Sequence, residues 1–274
     1  MSSSNNEKKR TAGDYILIVV LVVAVGVFCF AAFNLFHIFT EYKKGTDEYK
    51  DITQMAVTER DPDEEAEDLE QPQQQQPVAP ISVDFSSLKE INDDVIGWIY
   101  MEALPEISYP VVQGKDNSTY LHTTYEKNYN FAGTIFIDYE NKRDFNDCNT
   151  LVYGHNMKNG SMFGKLKKYS EDDTLYKTSK YFWILTPDQD YRYEIIAAYT
   201  TAVDSDTYTL FKGPGREFLE YEKKMIANSE IQTDVKAEDA NMKDKIVTLS
   251  TCTGNQATRF VVQGKLVNAV DPRG

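Results

Sequence analysis

Residues 246–262 read IVTLSTCTGNQATRFVV, and this pattern predicts two β-strands joined by a short polar turn. Cys252 ends the first predicted strand, and Arg259 opens the second. If the strands pair in antiparallel fashion, the guanidinium of Arg259 returns to the side of Cys252. A thiol beside a permanent cation is a candidate nucleophile. The alternative is that Cys252 is an inert, buried small hydrophobic residue.

The composition allows one membrane segment and one domain of roughly 190 residues, since 41% of the 274 residues are hydrophobic. The net charge is −14, but residues 59–71 alone hold eight acidic side chains against Arg60, so the rest of the chain is only mildly acidic. No cluster of lysines and arginines of the kind that neutralises phosphates occurs, which argues against nucleic acid as a partner. The three cysteines, Cys29, Cys148 and Cys252, cannot form a disulfide framework.

Residues 16–36 form an apolar run of 21 residues. At about 1.5 Å per residue, this run reaches across the roughly 30 Å hydrocarbon core of a bilayer. We therefore predict a transmembrane helix over residues 15–39. A cleaved signal peptide is the main alternative, but the run is longer than the apolar region of about 7–15 residues in such peptides, and no clear Ala-x-Ala site follows it.

Basic residues on the two sides of this helix indicate its orientation. Three precede it and two follow it: Lys8, Lys9 and Arg10, against Lys43 and Lys44. The slight excess favours a cytoplasmic N-terminus over residues 1–14, with everything after residue 40 outside. We therefore expect a single-pass protein of the cell membrane with an extracellular domain.

Residues 40–82 are expected to form a flexible linker. Residues 42–57 have some helical character but no clear apolar stripe, and an acidic block and then QPQQQQPVAP follow them. Such a segment cannot bury enough apolar surface to offset its chain entropy. The linker would hold the following domain close to the membrane.

The pattern changes at residue 84. Phe85–Ile91 has apolar residues at helical spacing, and Ser86 or Ser87 with Glu90 could start a short helix. Short strand-like runs then follow at 97–100, 109–113, 134–138, 150–153, 181–186 and 191–201, before the two strands around the cysteine. About eight short strands without regular helical crossovers indicate a closed or nearly closed β-barrel.

Residues 202–245 separate the last two predicted strands from the others. Within them, Phe218, Leu219, Met225 and Ile226 recur at helical spacing. This helix is too apolar for a free surface, so we expect it to pack over the barrel mouth beside Cys252 and to form one wall of a substrate groove. The alternative is that it only covers a barrel edge.

Three histidines could serve the cysteine. His37 lies at the end of the membrane helix and is excluded, and His122 could be a surface or packing residue. His155 ends an apolar strand and opens a loop rich in glycine and asparagine, which is where functional groups are commonly found. Together with Cys252 and Arg259, His155 completes a chemically sensible set.

Five motifs in this order resemble the class B sortases, membrane-anchored cysteine transpeptidases of Gram-positive bacteria. They are NDDVIGWIYM (92–101), YPVVQGKDNSTYL (109–121), YGHNM (153–157), GSMFGKL (160–166) and TLSTC (248–252) followed by Arg259. The resemblance covers about residues 85–267. It implies a mainly β fold, namely an eight-stranded sortase-type barrel with an N-terminal helix and a helix inserted between strands six and seven. The extracellular catalytic domain would then span residues 83–270, and Cys148 has no role in the pattern.

The resemblance also implies a mechanism. Cys252 would attack the carbonyl of a threonine in a C-terminal sorting signal, His155 would protonate the departing amine, and Arg259 would hold the substrate and stabilise the oxyanion. Leu121 and Ser250 would line the substrate groove. The implied partners are secreted surface proteins that carry a sorting signal, an amine of the peptidoglycan cross-bridge or stem peptide, and the cell membrane. We expect no metal and no cofactor.

Other readings of the same residues are less consistent with them. A papain-like hydrolase places its cysteine before its histidine, whereas His155 precedes Cys252. An L,D-transpeptidase carries histidine and glycine just before the cysteine, where this chain has Ser250 and Thr251. A catalytically silent adhesion module on a stalk is the non-enzyme alternative, and it predicts a thiol that does not react with labelling reagents at neutral pH.

Overall fold

The computed structural model describes residues 12–60 and 77–272, and the chain divides into two compact units, Met1–Lys44 and Gly45–Gly274. Helix α1 spans Ala12–Ala56. By length and composition, its N-terminal part is a candidate membrane span. The large apolar side chains of this part are exposed in the structure, as expected for a surface that contacts lipid.

The second unit contains a closed barrel of eight strands. Two short strands precede the barrel and pair only with each other: β1 (Val57–Glu59) and β2 (Ile81–Val83). The barrel strands are β3 (Val95–Met101), β4 (Ser108–Val112), β5 (Ile135–Ile137), β6 (Asn149–Tyr153), β7 (Tyr181–Leu185), β8 (Asp190–Ala202), β9 (Ile246–Cys252) and β10 (Thr258–Val270). Their order around the barrel is β10-β8-β7-β3-β4-β5-β6-β9, and β9 pairs with β10 to close it. The predicted eight-stranded barrel is confirmed.

The barrel is mixed, because two of its strand pairs are parallel. β4 pairs in parallel with β5, and β6 in parallel with β9, while the other neighbours are antiparallel. A parallel pair brings the carboxyl ends of its two strands to the same end of the barrel. The residues that follow β6 and those at the end of β9 therefore meet at one end.

Large buried side chains pack across neighbouring strands. Phe182 of β7 and Tyr193 of β8 are paired in the register, and their rings stack with centroids 5.1 Å apart. The register of β10 against β8 shifts at Gln263/Gly264, and such a bulge bends a long strand around a barrel. At Gly264 a Cβ atom would lie 2.2 Å from the ring of Phe182, so only glycine fits this bend.

Among the residues that the structure describes, four α-helices follow the first one. They are α2 (Phe85–Ile91), α3 (Lys168–Glu171), α4 (Thr174–Thr178) and α5 (Arg216–Ala227). Helix α2 begins after Asp84, whose Oδ1 accepts from the backbone N–H of Ser86 at 2.9 Å and of Ser87 at 3.2 Å. The cap is therefore Asp84 rather than the serines expected from the sequence.

Helix α5 lies between β8 and β9, the sixth and seventh barrel strands, as predicted. Its buried residues Phe218, Tyr221 and Met225 recur at i, i+3 and i+7 and belong to one core cluster with Tyr199 of β8 and Val261 of β10. None of these residues lines the cavity that contains the cysteine. The expectation that this helix packs over the barrel mouth is therefore wrong.

The structure also differs from the expected linker over residues 40–82. Buried residues recur along the end of α1 at Gly45, Tyr49, Ile52 and Ala56, which is helical spacing. The Tyr49 hydroxyl donates to the carbonyl oxygen of Gly133 at 2.6 Å. Residues 45–60 and 77–82 are thus part of the folded second unit, while residues 61–76 of the expected linker lie outside the described residues.

Candidate active site

Cys252 and Arg259 are direct partners across the β9–β10 hairpin. β9 ends at Cys252, and the antiparallel register pairs this residue with Arg259 near the start of β10. The connecting turn contains Gly254 at φ +90°, a conformation that glycine adopts without steric cost. Both side chains are half-buried. The hairpin predicted from the sequence is confirmed.

His155 reaches the same end of the barrel through β6, the parallel neighbour of β9. The next residue after β6, Gly154, donates its backbone N–H to the carbonyl oxygen of Ser250 at 3.1 Å, which continues the ladder. A Cβ atom at Gly154 would lie 2.4 Å from Ile135. The Nδ2 of Asn156 then donates to the carbonyl oxygen of Cys252 at 2.7 Å. This contact ties the histidine loop to the cysteine strand.

A cavity of about 340 Å³ opens at this end. All five residues that the sequence analysis selected line it: Leu121, His155, Ser250, Cys252 and Arg259. The remaining lining residues are Asn117, Phe136, Tyr153, Gly154, Val203, Tyr208 and Thr251. A thiol, an imidazole and a guanidinium therefore face one shared space.

One hydrogen bond fixes the protonation pattern of the His155 ring. Its Nε2 lies 2.7 Å from the carbonyl oxygen of Leu121. Because a carbonyl oxygen only accepts, Nε2 carries a proton. Nδ1 is then the nitrogen that can take up or release a proton.

The environment of His155 favours the neutral ring. Burial lowers the pKa of His155 below its usual value of 6.5, the Leu121 hydrogen bond opposes this shift, and the neighbouring His122 adds to it. The charged imidazolium is therefore the minor form at neutral pH. Any step that needs this proton depends on pH near the pKa of His155.

The guanidinium of Arg259 is anchored by the turn beside it. Its Nη1 donates to the carbonyl oxygens of Gln256 at 3.1 Å and Thr258 at 2.9 Å. A guanidinium carries five N–H donors, so the remaining ones are available to a ligand. This arrangement presents a fixed positive charge next to the thiol.

Sequence reasoning missed the seven other residues of the cavity wall, among them Asn117, Val203 and Tyr208. The Tyr208 hydroxyl lies 2.9 Å from Ser250 Oγ, and Asn117 Nδ2 donates to Asp138 Oδ2 at 2.7 Å. Val203 and Tyr208 belong to the segment between β8 and α5. The segment predicted to form a wall does contribute to the cavity, but through these two residues. Only their position after a strand end could have indicated this.

Among the residues that the structure describes, no group of three or more histidine, cysteine, aspartate or glutamate side chains is arranged to hold a metal ion. Cys148 is buried in the core cluster against α5, away from the cavity lining.

The fold and the site together define a cysteine enzyme built on a closed mixed barrel. A family model, the sortase domain, matches residues 99–267. Sortase B of Listeria monocytogenes is 40% identical over 189 residues, which are 67% of this chain and 74% of that protein. The chain belongs to the sortase family, within class B, and is a sortase-type cysteine transpeptidase.

Solved structures agree with this assignment. Sortase B from Bacillus anthracis in complex with AAEK1 superposes with a TM-score of 0.67 at 30% identity, over 84% of this chain and 99% of that chain. The sortase B–substrate complex from Staphylococcus aureus has a TM-score of 0.61 at 30% identity, over 67% of this chain and 84% of that chain. The barrel described here is the fold of those enzymes.

Proposed function

We propose that this transpeptidase cleaves a C-terminal sorting signal after a threonine and joins the new carboxyl end to an amine of the cell-wall peptidoglycan. The observation that supports this most directly is the meeting of Cys252, His155 and Arg259 in one cavity. In this proposal Cys252 is the nucleophile, His155 the general acid and base, and Arg259 the charge stabiliser. Secreted surface proteins that bear the signal are the substrates.

The first step forms a thioester. The thiolate of Cys252 attacks the carbonyl carbon of the threonine, and negative charge develops on the carbonyl oxygen. A guanidinium stays protonated in proteins, so Arg259 cannot act as a base; it stabilises this oxyanion and holds the substrate. The anchoring of Nη1 on the turn carbonyls supports this role, since a preorganised donor needs no rearrangement during the reaction.

The proton on His155 completes this step. The carbon–nitrogen bond of the scissile peptide breaks, and the departing amine takes the proton from Nδ1, while Nε2 keeps its hydrogen bond to Leu121. The products are an acyl-enzyme on Cys252 and a released C-terminal fragment. His155 is left neutral, which is the form that its buried surroundings favour.

The second step reverses the roles. An amine of the peptidoglycan cross-bridge or stem peptide attacks the thioester carbon, and neutral His155 accepts the proton that this amine loses. The carbon–sulfur bond breaks, Cys252 leaves as a thiolate, and a new amide bond forms. Water can compete as the acceptor, and in that case the reaction is hydrolysis.

The cavity walls are the proposed binding surface for the sorting signal. Leu121 and Ser250 stay in this role, and Val203 and Tyr208 join them because they line the same cavity. The S. aureus structure is described as a sortase B–substrate complex, which supports a peptide substrate for this chain as well. The segment before α5, rather than α5 itself, would then read the signal.

The proposal also includes the location of the enzyme. The apolar part of α1 would anchor the chain in the cell membrane, with residues 1–14 in the cytoplasm and the catalytic domain, residues 83–270, outside. The candidate membrane span supports the anchor, and the distribution of basic residues supports the orientation. The active site would then face secreted proteins and the cell wall.

The test uses the full-length protein in detergent and a small library of sorting-signal peptides. Intact-protein mass spectrometry should detect an acyl adduct that maps to Cys252, and an added peptide amine should convert it into a ligated product. The Cys252→Ala variant should form no adduct, while Cys148→Ala, a matched cysteine control, should form it normally. No adduct on the wild-type protein with any peptide, or an adduct on Cys148, would overturn the proposal.

A further inference from the structure

A second histidine lies against His155. The rings of His122 and His155 have centroids 5.6 Å apart and are nearly parallel, at an interplanar angle of 14°. His122 directly follows Leu121, whose carbonyl oxygen accepts the Nε2 proton of His155. One short segment therefore contacts His155 twice, with a backbone acceptor and with a titratable ring.

The backbone of His122 is held in place on both sides. Its carbonyl oxygen accepts from the backbone N–H of Asn130 at 3.0 Å, and Thr123 forms a bridge with Tyr129. Its ring is exposed and has a second aromatic contact, Tyr129, at 6.3 Å between centroids. The ring thus lies beside His155 and is exposed to solvent.

We propose that His122 is a positioning residue for the transpeptidation reaction, and that its charge sets the pH range in which His155 carries the proton required by the departing amine. The inference rests on the proposed function of His155. The stacked rings are close enough for a charge at position 122 to act on His155, and His122 already adds to the lowering of the pKa of His155. Two positive charges at this separation repel each other.

The other titratable groups around His155 come from four further elements. They are Tyr153 of β6, Cys252 of β9, Arg259 of β10 and Tyr208 of the segment before α5, all on the cavity wall. Tyr153 donates to the carboxylate of Asp138, and Tyr208 lies in hydrogen-bonding distance of Ser250. Burial raises the pKa values of both tyrosines, so both stay neutral in the range where an imidazole titrates.

The sign and size of the effect follow from charge alone. A permanent positive charge at position 122 should lower the pKa of His155, and a side chain that cannot be charged should raise it. At this separation, with partial exposure to water, each shift should be roughly half a unit to one unit. In the pH range where the protonation of His155 limits acyl-enzyme formation, the rate of that step should change about three- to tenfold.

The experiment compares His122→Lys, His122→Gln and His122→Phe in the full-length protein. The lysine carries a charge, the glutamine carries none, and the phenylalanine keeps an aromatic ring without a charge. Histidine NMR titrations in the Cys252→Ala background give the pKa of His155 without turnover. The chain has only three histidines, so the His37→Gln and His122 variants together assign every histidine resonance. His37→Gln also serves as the control, because it should leave the pKa of His155 unchanged.

We expect the pKa of His155 to be lowest with lysine, intermediate in the wild type and highest with glutamine and phenylalanine. The corresponding limb of the pH profile for acyl-enzyme formation should move in the same order. The role of His122 would be overturned if His155 had the same pKa in all four proteins, or if its pKa did not follow the charge at position 122. If the titrations follow the expected order but the wild type forms no adduct, the proposed function fails while the coupling between the histidines stands.

Discussion

At the scale of single residues, Arg259 offers the sharpest test of the site. Its Nη1 bonds to the turn carbonyls, which leaves a forked set of donors beside Cys252. Lysine has the same charge but a single rotatable ammonium, so it cannot both bind the turn and meet an oxyanion in the same geometry. We expect Arg259→Lys to reduce kcat/KM by roughly a hundredfold or more, as measured by peptide cleavage.

The matched control for this prediction is Arg216→Lys, an exposed arginine at the start of α5. It should cleave peptide at the wild-type rate. Near-normal turnover of Arg259→Lys would show that a positive charge at this position is sufficient and that the forked donors of the guanidinium are not required.

Some of the site geometry could be predicted from single residues, and some could not. The pairing of Cys252 with Arg259 follows from a short turn between two strand-like runs, because a hairpin fixes its register locally. The bond from His155 to Leu121 joins residues 34 positions apart, and the stack with His122 depends on the same loop. Such contacts depend on how the whole barrel closes, which local patterns do not encode.

At the scale of elements, the end of α1 is the main difference between sequence and structure. Its buried stripe contains Gly45 and Ala56 beside Tyr49 and Ile52, so only two members of the stripe have large apolar side chains. Small residues appear there because the helix lies close to the barrel. At Gly45 a Cβ atom would already lie 3.2 Å from the side chain of Asn130.

Tyr49 provides the test of this packing. Its buried hydroxyl donates to the carbonyl oxygen of Gly133 at 2.6 Å and lies 3.1 Å from Thr134 Oγ1. Tyr49→Phe keeps the ring but leaves the Gly133 carbonyl without this donor, so we expect a loss of about 1–2 kcal/mol in the free energy of unfolding. Chemical denaturation measures the loss, and hydrogen exchange should quicken over residues 120–134.

Tyr139→Phe is the control, because Tyr139 is half exposed. It should unfold like the wild type. If Tyr49→Phe is also neutral, the hydrogen bond from Tyr49 to Gly133 does not contribute to the stability of the domain.

Helix α5 carries a buried carboxyl group that makes its packing depend on pH. Glu222 is fully buried, and burial together with the nearby Asp244 raises its pKa from 4.5 to about 8, while Lys265 opposes the shift. The folded state therefore binds a proton more tightly than the unfolded chain. The resulting stabilisation is complete below about pH 4.5 and is lost as the pH rises through 8.

Glu222→Gln resembles the protonated side chain, so it should remove this dependence. We expect the variant to match the wild type near pH 5 and to exceed it by about 1–3 kcal/mol near pH 9, as measured by denaturant unfolding across pH. Glu220→Gln, at an exposed position of the same helix, should show the wild-type dependence. A constant difference between Glu222→Gln and wild type at all pH values would contradict the assignment.

At the scale of the whole molecule, the number of barrel strands and the class of fold could be predicted, because short β-branched and aromatic runs bounded by turn residues indicate strands in any arrangement of the barrel. The placement of α5 could not. The apolar stripe of α5 would look the same whether the helix covered the barrel mouth or packed against β8 and β10. Its position is shown only by the structure, in which α5 packs with the buried residues Tyr199 and Val261. The sequence also does not indicate which part of residues 202–245 reaches the cavity.

The last prediction concerns how the chain is held at the membrane. We expect an uncleaved anchor, so the mature protein should retain its N-terminal residues, and protease added to intact protoplasts should reach only the part after residue 40. The acidic and glutamine-rich stretch between β1 and β2 is the expected cleavage region by composition.

Cleavage there should not by itself release the catalytic domain. β1 stays paired with β2, and the buried residues of 45–56 stay packed on the same unit, so the two fragments remain associated until they are denatured. The digested domain should therefore sediment with membranes in native buffer, and denaturing gels should resolve a fragment that starts near residue 80. A domain that leaves the membrane after one cut would contradict the packing of residues 45–60, and a mature chain that begins after residue 30 would contradict the anchor.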